Sequence, residues 1–186
     1  MTWANRITIF RIFCVPAFVT LMVYYSQSVQ QGATDERFRL AAIGVFAIAA
    51  ISDAIDGFLA RFCNQRTELG AILDPAADKL LLLGGLIVLN FVDLPDFPHF
   101  PIWFTAIVIS RDFIAIVFLV LIKYQSKTIE IRPHWSGKIA TVFQFTSIVM
   151  FLFKMEWFTW ACMLGGFFTV YAGVIYLTLG VQKLQD

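Results

Sequence analysis

Six apolar stretches order this chain, and each can cross roughly 30 Å of hydrocarbon. They cover residues 7–25, 38–62, 71–91, 102–123, 138–153 and 157–180. A backbone in lipid has no water to satisfy its N–H and C=O groups, so spans of this kind are helices. The pattern predicts an all-α, polytopic membrane protein with six transmembrane helices, organised as one domain over residues 1–186. Composition agrees: 59% of the residues are hydrophobic and only 15% are charged, whereas a soluble domain is about one quarter charged. The net charge of +1 gives no bulk field that would favour nucleic acid.

Polar breaks separate the stretches. SQSVQQGATDER lies between the first two, and KYQSKTIEIRPHWSG between the fourth and fifth. VDLPDFPH lies between the third and fourth, where Pro95 and Pro98 forbid a helix. The three cysteines, Cys14, Cys63 and Cys162, are far apart and read as reduced packing residues. His99 and His134 are single and sit in loops, so no Cys/His metal spacing exists. The first stretch is too long for a cleaved signal, is interrupted by Arg11 and lacks a clear A-x-A site. Gly166, Gly173 and Gly180 recur every seven residues in the last stretch, as in closely approaching transmembrane helices. Trp3, Trp103, Trp135 and Trp157 fall near stretch ends, as interface anchors do.

Lys and Arg set the expected orientation. With a cytoplasmic N-terminus, the inner side receives Arg6, Arg61, Arg66, Lys123, Lys127, Arg132, Lys138 and Lys183. The outer side receives only Arg37, Arg39 and Lys154. Both termini are therefore expected in the cytoplasm.

The second and third stretches carry what a membrane span ordinarily avoids. The run DAIDGFLARFCNQRTELGAILDPAAD sets Asp53, Asp56, Asp74 and Asp78 in apolar, helix-forming sequence. Ionisable groups at membrane depth are costly, and four of one sign need something to offset their repulsion. Asp53 and Asp56 are three apart, and Asp74 and Asp78 are four apart, so each pair shares a helix face. Gly57 and Ala60, small and close to the first face, leave room for a ligand against the backbone. Pro75 makes Asp74 either an N-cap or a neighbour of a kink. The short connection makes the two helices antiparallel neighbours, so the carboxylate faces can point at each other. All-oxygen ligation suits Mg²⁺, Mn²⁺ or Ca²⁺. Two such ions can clamp a phosphoryl group, and Arg61, two turns after Asp53, is placed to hold phosphate. The local chemistry reads as phosphoryl transfer. Two other readings stand beside it: structural ion pairs with Arg11, Lys79 and Arg111, and a cation pathway in a transporter.

The run also fits D-x2-D-G-x2-A-R-x8-G-x3-D-x3-D at every fixed position: Asp53, Asp56, Gly57, Ala60, Arg61, Gly70, Asp74 and Asp78. In this the chain resembles the CDP-alcohol phosphotransferases, over essentially its whole length. The resemblance implies two divalent cations, Mg²⁺ or Mn²⁺, one held by Asp53, Asp56 and Asp74 and the other by Asp53, Asp74 and Asp78. It makes Asp78 the general base for the acceptor hydroxyl. It assigns Gly57, Ala60, Arg61 and Gly70 to the cytidine-diphosphate pocket. Asn5, Thr8 and Arg11 are candidates to contact the donor from the first stretch. The implied donor is CDP-diacylglycerol, the leaving group is CMP, and the family is typically homodimeric.

The stretches TWANRITIFRI, ILDPAADKLLLL and ISRD resemble the branch whose acceptor is glycerol 3-phosphate. They also resemble the cardiolipin synthases, whose acceptor is phosphatidylglycerol. A phosphorylated acceptor needs its own cations, and Arg111 and Lys138 are the candidates, ahead of Arg132 and His134. A plain Arg111–Asp112 pair and an interfacial Lys138 are the alternative readings. A small, uninterrupted chain without a targeting extension points to a bacterial cytoplasmic membrane.

Overall fold

The computed structural model describes residues 3–63, 68–92, 94, 97–124 and 135–185. Side chains are described throughout these except at 3–7, 53–63, 68–75, 118–124 and 179–185. The chain is all-helical. In order, the helices are α1 (Trp3–Gln30), α2 (Glu36–Cys63), α3 (Glu68–Phe91), α4 (Ile102–Tyr124), α5 (Trp135–Leu152) and α6 (Phe158–Gln185). They form two compact units, Met1–Phe100 and Pro101–Asp186.

In the first unit α1 packs against both α2 and α3, and α2 touches α3. The reason is a stripe on α1. Thr8, Arg11, Cys14, Phe18, Met22 and Tyr25 are buried, and their three-to-four-residue spacing puts them on one face. The Phe18 ring lies 5.2 Å from that of Phe46 on α2. On the α3 side, a Cβ on Gly84 would come within 2.9 Å of Val15 Cγ1. The missing side chain lets the two helices approach closely.

α1 runs five residues past the apolar stretch, into sequence expected to be loop. Its polar end is satisfied locally. Ser28 donates through Oγ to the Tyr25 carbonyl at 2.7 Å and accepts from the Asp35 N–H at 3.2 Å. The helix closes at Gly32, whose φ is 71°. The Ala33 N–H reaches the Ser28 carbonyl and the Gly32 N–H the Val29 carbonyl, both at 3.0 Å, which is a Schellman closure. Asp35 then caps α2 by accepting from the Arg37 N–H at 3.0 Å.

In the second unit α6 packs against α4 and α5. Glycines again set the approach. A Cβ on Gly166 would meet Trp103 at 2.9 Å, and one on Gly165 would meet Phe104 at 3.1 Å and Phe143 at 3.2 Å. The α5–α6 seam is polar. The Gln144 amide donates to Thr169 Oγ1 at 2.8 Å, and that hydroxyl donates to the Gly165 carbonyl at 2.6 Å. α5 ends in the same closure as α1, but with Lys154 at φ 58°. The Met155 N–H bonds the Met150 carbonyl at 3.0 Å and the Lys154 N–H the Phe151 carbonyl at 2.8 Å.

Three segments, Thr8–Gln30, Trp135–Leu152 and Phe158–Thr178, are long and apolar enough among the described residues to cross a membrane. The distribution of polarity agrees. Phe13, Phe91, Ile102 and Phe113 are exposed, while Arg11, Gln144, Ser147 and Thr169 are buried. Water as solvent would favour the reverse; hydrocarbon favours this arrangement. The protein is a membrane protein.

Candidate active site

Asp53, Asp56, Gly57, Ala60 and Arg61 lie on the C-terminal part of α2, and Gly70, Asp74 and Asp78 on the N-terminal part of α3. Only residues 64–67 separate the two helices, so both halves of the motif come to the same end of the first unit. Pro75 falls inside α3, as its eighth residue. Asp74 is therefore not an N-cap, and Pro75 has no N–H to give the carbonyl of Ala71. The side chains of Asp53, Asp56, Gly57, Ala60, Arg61, Gly70, Asp74 and Asn5 lie outside the described residues.

Asp78 is described, and it does not stand alone. Arg11 Nη1 donates to Asp78 Oδ1 at 2.5 Å, across 67 residues of sequence. The Arg11 side chain is 1% exposed and that of Asp78 is 32% exposed. Arg11 reaches this position because it shares the buried stripe of α1 with Thr8, one turn earlier. A buried arginine is tolerated when a carboxylate answers it. Arg11 and Thr8, candidates for the donor, thus belong to the same unit as the aspartates, and Arg11 touches one of them.

Would this donor set suit a metal? Four carboxylates drawn from adjacent helices are hard oxygen ligands, which fit Mg²⁺ or Mn²⁺ and not the softer ions. Among the described residues no three His, Cys, Asp or Glu side chains gather; three of the four aspartates are outside that set.

The second unit holds the other candidates. Arg111 Nη1 donates to Asp112 Oδ1 at 2.9 Å. The two side chains are 12% and 7% exposed. The guanidinium carbon lies 5.8 Å from the centroid of the Tyr176 ring, a cation–π contact. Arg111 Nε is buried without a hydrogen-bond partner among the described residues. A Cβ on Gly137 would stand 3.0 Å from Arg111 Nη2, and one on Gly173 would stand 3.7 Å from Arg111 Cγ. Lys138, next to Gly137, is exposed. A groove of about 330 Å³ between α4 and α6 is lined by Arg111, Ser110, Thr169 and apolar neighbours. Gly137 and Tyr176 were not singled out in the sequence. A glycine two residues into an apolar helix, next to a lysine, is the one trace they leave there. Arg132 and His134 lie outside the described residues.

The fold and the motif define a helical membrane protein with four aspartates on the adjoining ends of two neighbouring helices. The chain belongs to the CDP-alcohol phosphatidyltransferase family, whose model matches residues 1–172. It is 32% identical over 194 residues to the CDP-diacylglycerol–glycerol-3-phosphate 3-phosphatidyltransferase of Pseudomonas fluorescens, covering 100% of this chain and 89% of that one. It is 31% identical over 192 residues to the enzyme of the same name from Bacillus subtilis, covering 97% and 96%. A probable phosphatidylglycerophosphate synthase of Mycobacterium tuberculosis is 32% identical over 154 residues. That match takes in 82% of this chain and spans 66% of the mycobacterial protein's length.

Proposed function

We propose that this protein transfers a phosphatidyl group from CDP-diacylglycerol to glycerol 3-phosphate, giving phosphatidylglycerophosphate and CMP in phospholipid synthesis. The observation that carries the reading is the complete eight-residue motif on α2 and α3 in a chain matched over its length by transferases of that name.

The chemistry assigns each residue a task. Asp53, Asp56, Asp74 and Asp78 would hold two divalent cations, Mg²⁺ or Mn²⁺, which when bound neutralise charge on the transferring phosphoryl group. Arg61, with the space left by Gly57, Ala60 and Gly70, binds the cytidine diphosphate, assisted by Asn5 and Thr8. The acceptor hydroxyl oxygen forms a bond to the phosphorus that carries diacylglycerol. The bond from that phosphorus to the CMP oxygen breaks, and CMP leaves. The hydroxyl proton passes to the Asp78 carboxylate. Arg11 holds one oxygen of Asp78, which limits the rotamers open to the base. Arg111 and Lys138 hold the acceptor phosphate. Arg111 suits this because its Nε is buried and without a hydrogen-bond partner among the described residues, and a guanidinium fork matches two phosphate oxygens.

The same reading places all six helices across the membrane, with both termini and the carboxylates on the cytoplasmic side of a bacterial inner membrane. The excess of Lys and Arg on that side supports it. Two copies form the working enzyme, as the resemblance implies.

The test is CMP release by purified protein in detergent, with CDP-diacylglycerol, Mg²⁺ or Mn²⁺ and a panel of alcohols. Release with glycerol 3-phosphate, abolished by EDTA, is expected. Release with phosphatidylglycerol alone would make the protein a cardiolipin synthase. Cation flux in proteoliposomes without CMP release would make the aspartates a transport path.

A further inference from the structure

The guanidinium of Arg111 is held on one side and left open on the other. Nη1 is committed to Asp112 Oδ1. The face lies over Tyr176. The remaining edge is the pair Nε and Nη2, the side-on fork of the group. Of this edge, Nε is buried and has no hydrogen-bond partner among the described residues. Leaving a charged donor buried and unpaired costs free energy. Two parallel acceptors, such as two oxygens of one phosphate, are what this edge fits.

What keeps the edge open is Gly137. The point its Cβ would occupy is 3.0 Å from Arg111 Nη2 and 3.3 Å from the Tyr176 hydroxyl. Any larger residue would displace both groups by a few tenths of an ångström. Both contacts are the far ends of flexible side chains, so the helix can keep its course while the fork moves.

We infer that Gly137 and Tyr176 are specificity-determining positions for a phosphate-bearing acceptor. Gly137 leaves the space in which the Arg111 fork meets the phosphate, and Tyr176 is a positioning residue that fixes the plane of the fork. This rests on the proposed function and deepens it: it says which neighbours of Arg111 set the affinity for the acceptor and leave that for the donor alone.

The experiment compares KM for glycerol 3-phosphate with KM for CDP-diacylglycerol in purified variants, each checked by thermal unfolding in detergent. Gly137→Ala raises the acceptor KM about tenfold and leaves the donor KM within about twofold, because a misplaced fork loses one substrate only. Tyr176→Leu raises the acceptor KM about fivefold, and Tyr176→Phe, which keeps the ring, restores most of that loss. A general packing role would move both KM values together and would not separate Phe from Leu; either result overturns the inference while the proposed function stands. Wild-type protein that releases no CMP with glycerol 3-phosphate sinks the proposed function and this inference with it.

Discussion

The two units each set an arginine in an apolar helix, and they pair it in different ways. In the first, Arg11 closes onto Asp78, 67 residues away and on another helix. In the second, Arg111 is tied to its own chain neighbour, Asp112; Nε is buried without a hydrogen-bond partner among the described residues in both arginines, so the difference lies in how far each reaches for its carboxylate. A pair that bridges two helices fixes their register and the rotamer of the carboxylate. A pair between neighbours fixes only the arginine, and so leaves a donor edge for something not covalently attached. In the proposed reaction the first arginine serves a protein group and the second a ligand.

The sharpest way to break this comparison is at the carboxylate. Asp78→Asn is expected to cut CMP release by about 10³-fold, within the range for removing a general base, while CDP-diacylglycerol still binds. If donor binding is lost together with turnover, Asp78 is chiefly a metal ligand. Unchanged turnover would make the Arg11–Asp78 pair a purely structural one.

Removing the other partner comes next in size. Arg11→Met removes the guanidinium that holds one oxygen of Asp78 and should cost about 2 kcal/mol of stability, less than a fully buried pair because Asp78 is 32% exposed. Thermal unfolding in detergent measures it. Asp78→Asn on the Arg11→Met background should then cost far less than Asp78→Asn alone, since the coupling between touching residues is the quantity a double-mutant cycle isolates. Additive costs would mean that the pair carries no energy.

At Arg111 the corresponding change should spare stability and strike affinity. Arg111→Lys keeps the charge and loses the fork, so the acceptor KM should rise about tenfold with the donor KM little moved. Equal changes in both would end the contrast between the two arginines.

Much of this architecture was legible before any coordinates. The six helices follow the six apolar stretches, and three of them are long and apolar enough among the described residues to cross a membrane, where the backbone must satisfy its own hydrogen bonds. Helix ends were less legible. Residues 26–30 are polar yet helical, because a chain leaving the membrane can continue its own hydrogen bonds in water as well as in lipid. The aspartates announced themselves by being expensive where they stand. Their pairing did not. Arg11, Lys79 and Arg111 were all available as partners, and only the stripe on α1 selects Arg11 for Asp78. The role of Gly137 was hidden for a different reason. A glycine is visible in a sequence, but what its missing Cβ makes room for is a property of two other helices. Of the glycines recurring every seven residues, Gly166 does pack tightly, yet Gly165, outside the repeat, packs as tightly against Phe104 and Phe143.

The smallest expected effect compares the units at their helix ends. α1 and α5 close through the same hydrogen bonds, around Gly32 at φ 71° and Lys154 at φ 58°. A left-handed residue with a Cβ costs about 1 kcal/mol relative to glycine. Gly32 already avoids that cost, and nothing lies within 4 Å of where its Cβ would be. Gly32→Ala should therefore lose about 1 kcal/mol through the backbone alone. Lys154 already carries a Cβ in the same conformation, and its side chain is exposed. Lys154→Ala should then change stability by less than about 0.5 kcal/mol, the usual range for a surface position. The same replacement at two equivalent closures thus separates backbone strain from side-chain contact. Equal losses at both, read from thermal midpoints in detergent, would show that contacts and not the left-handed backbone set the stability of these ends.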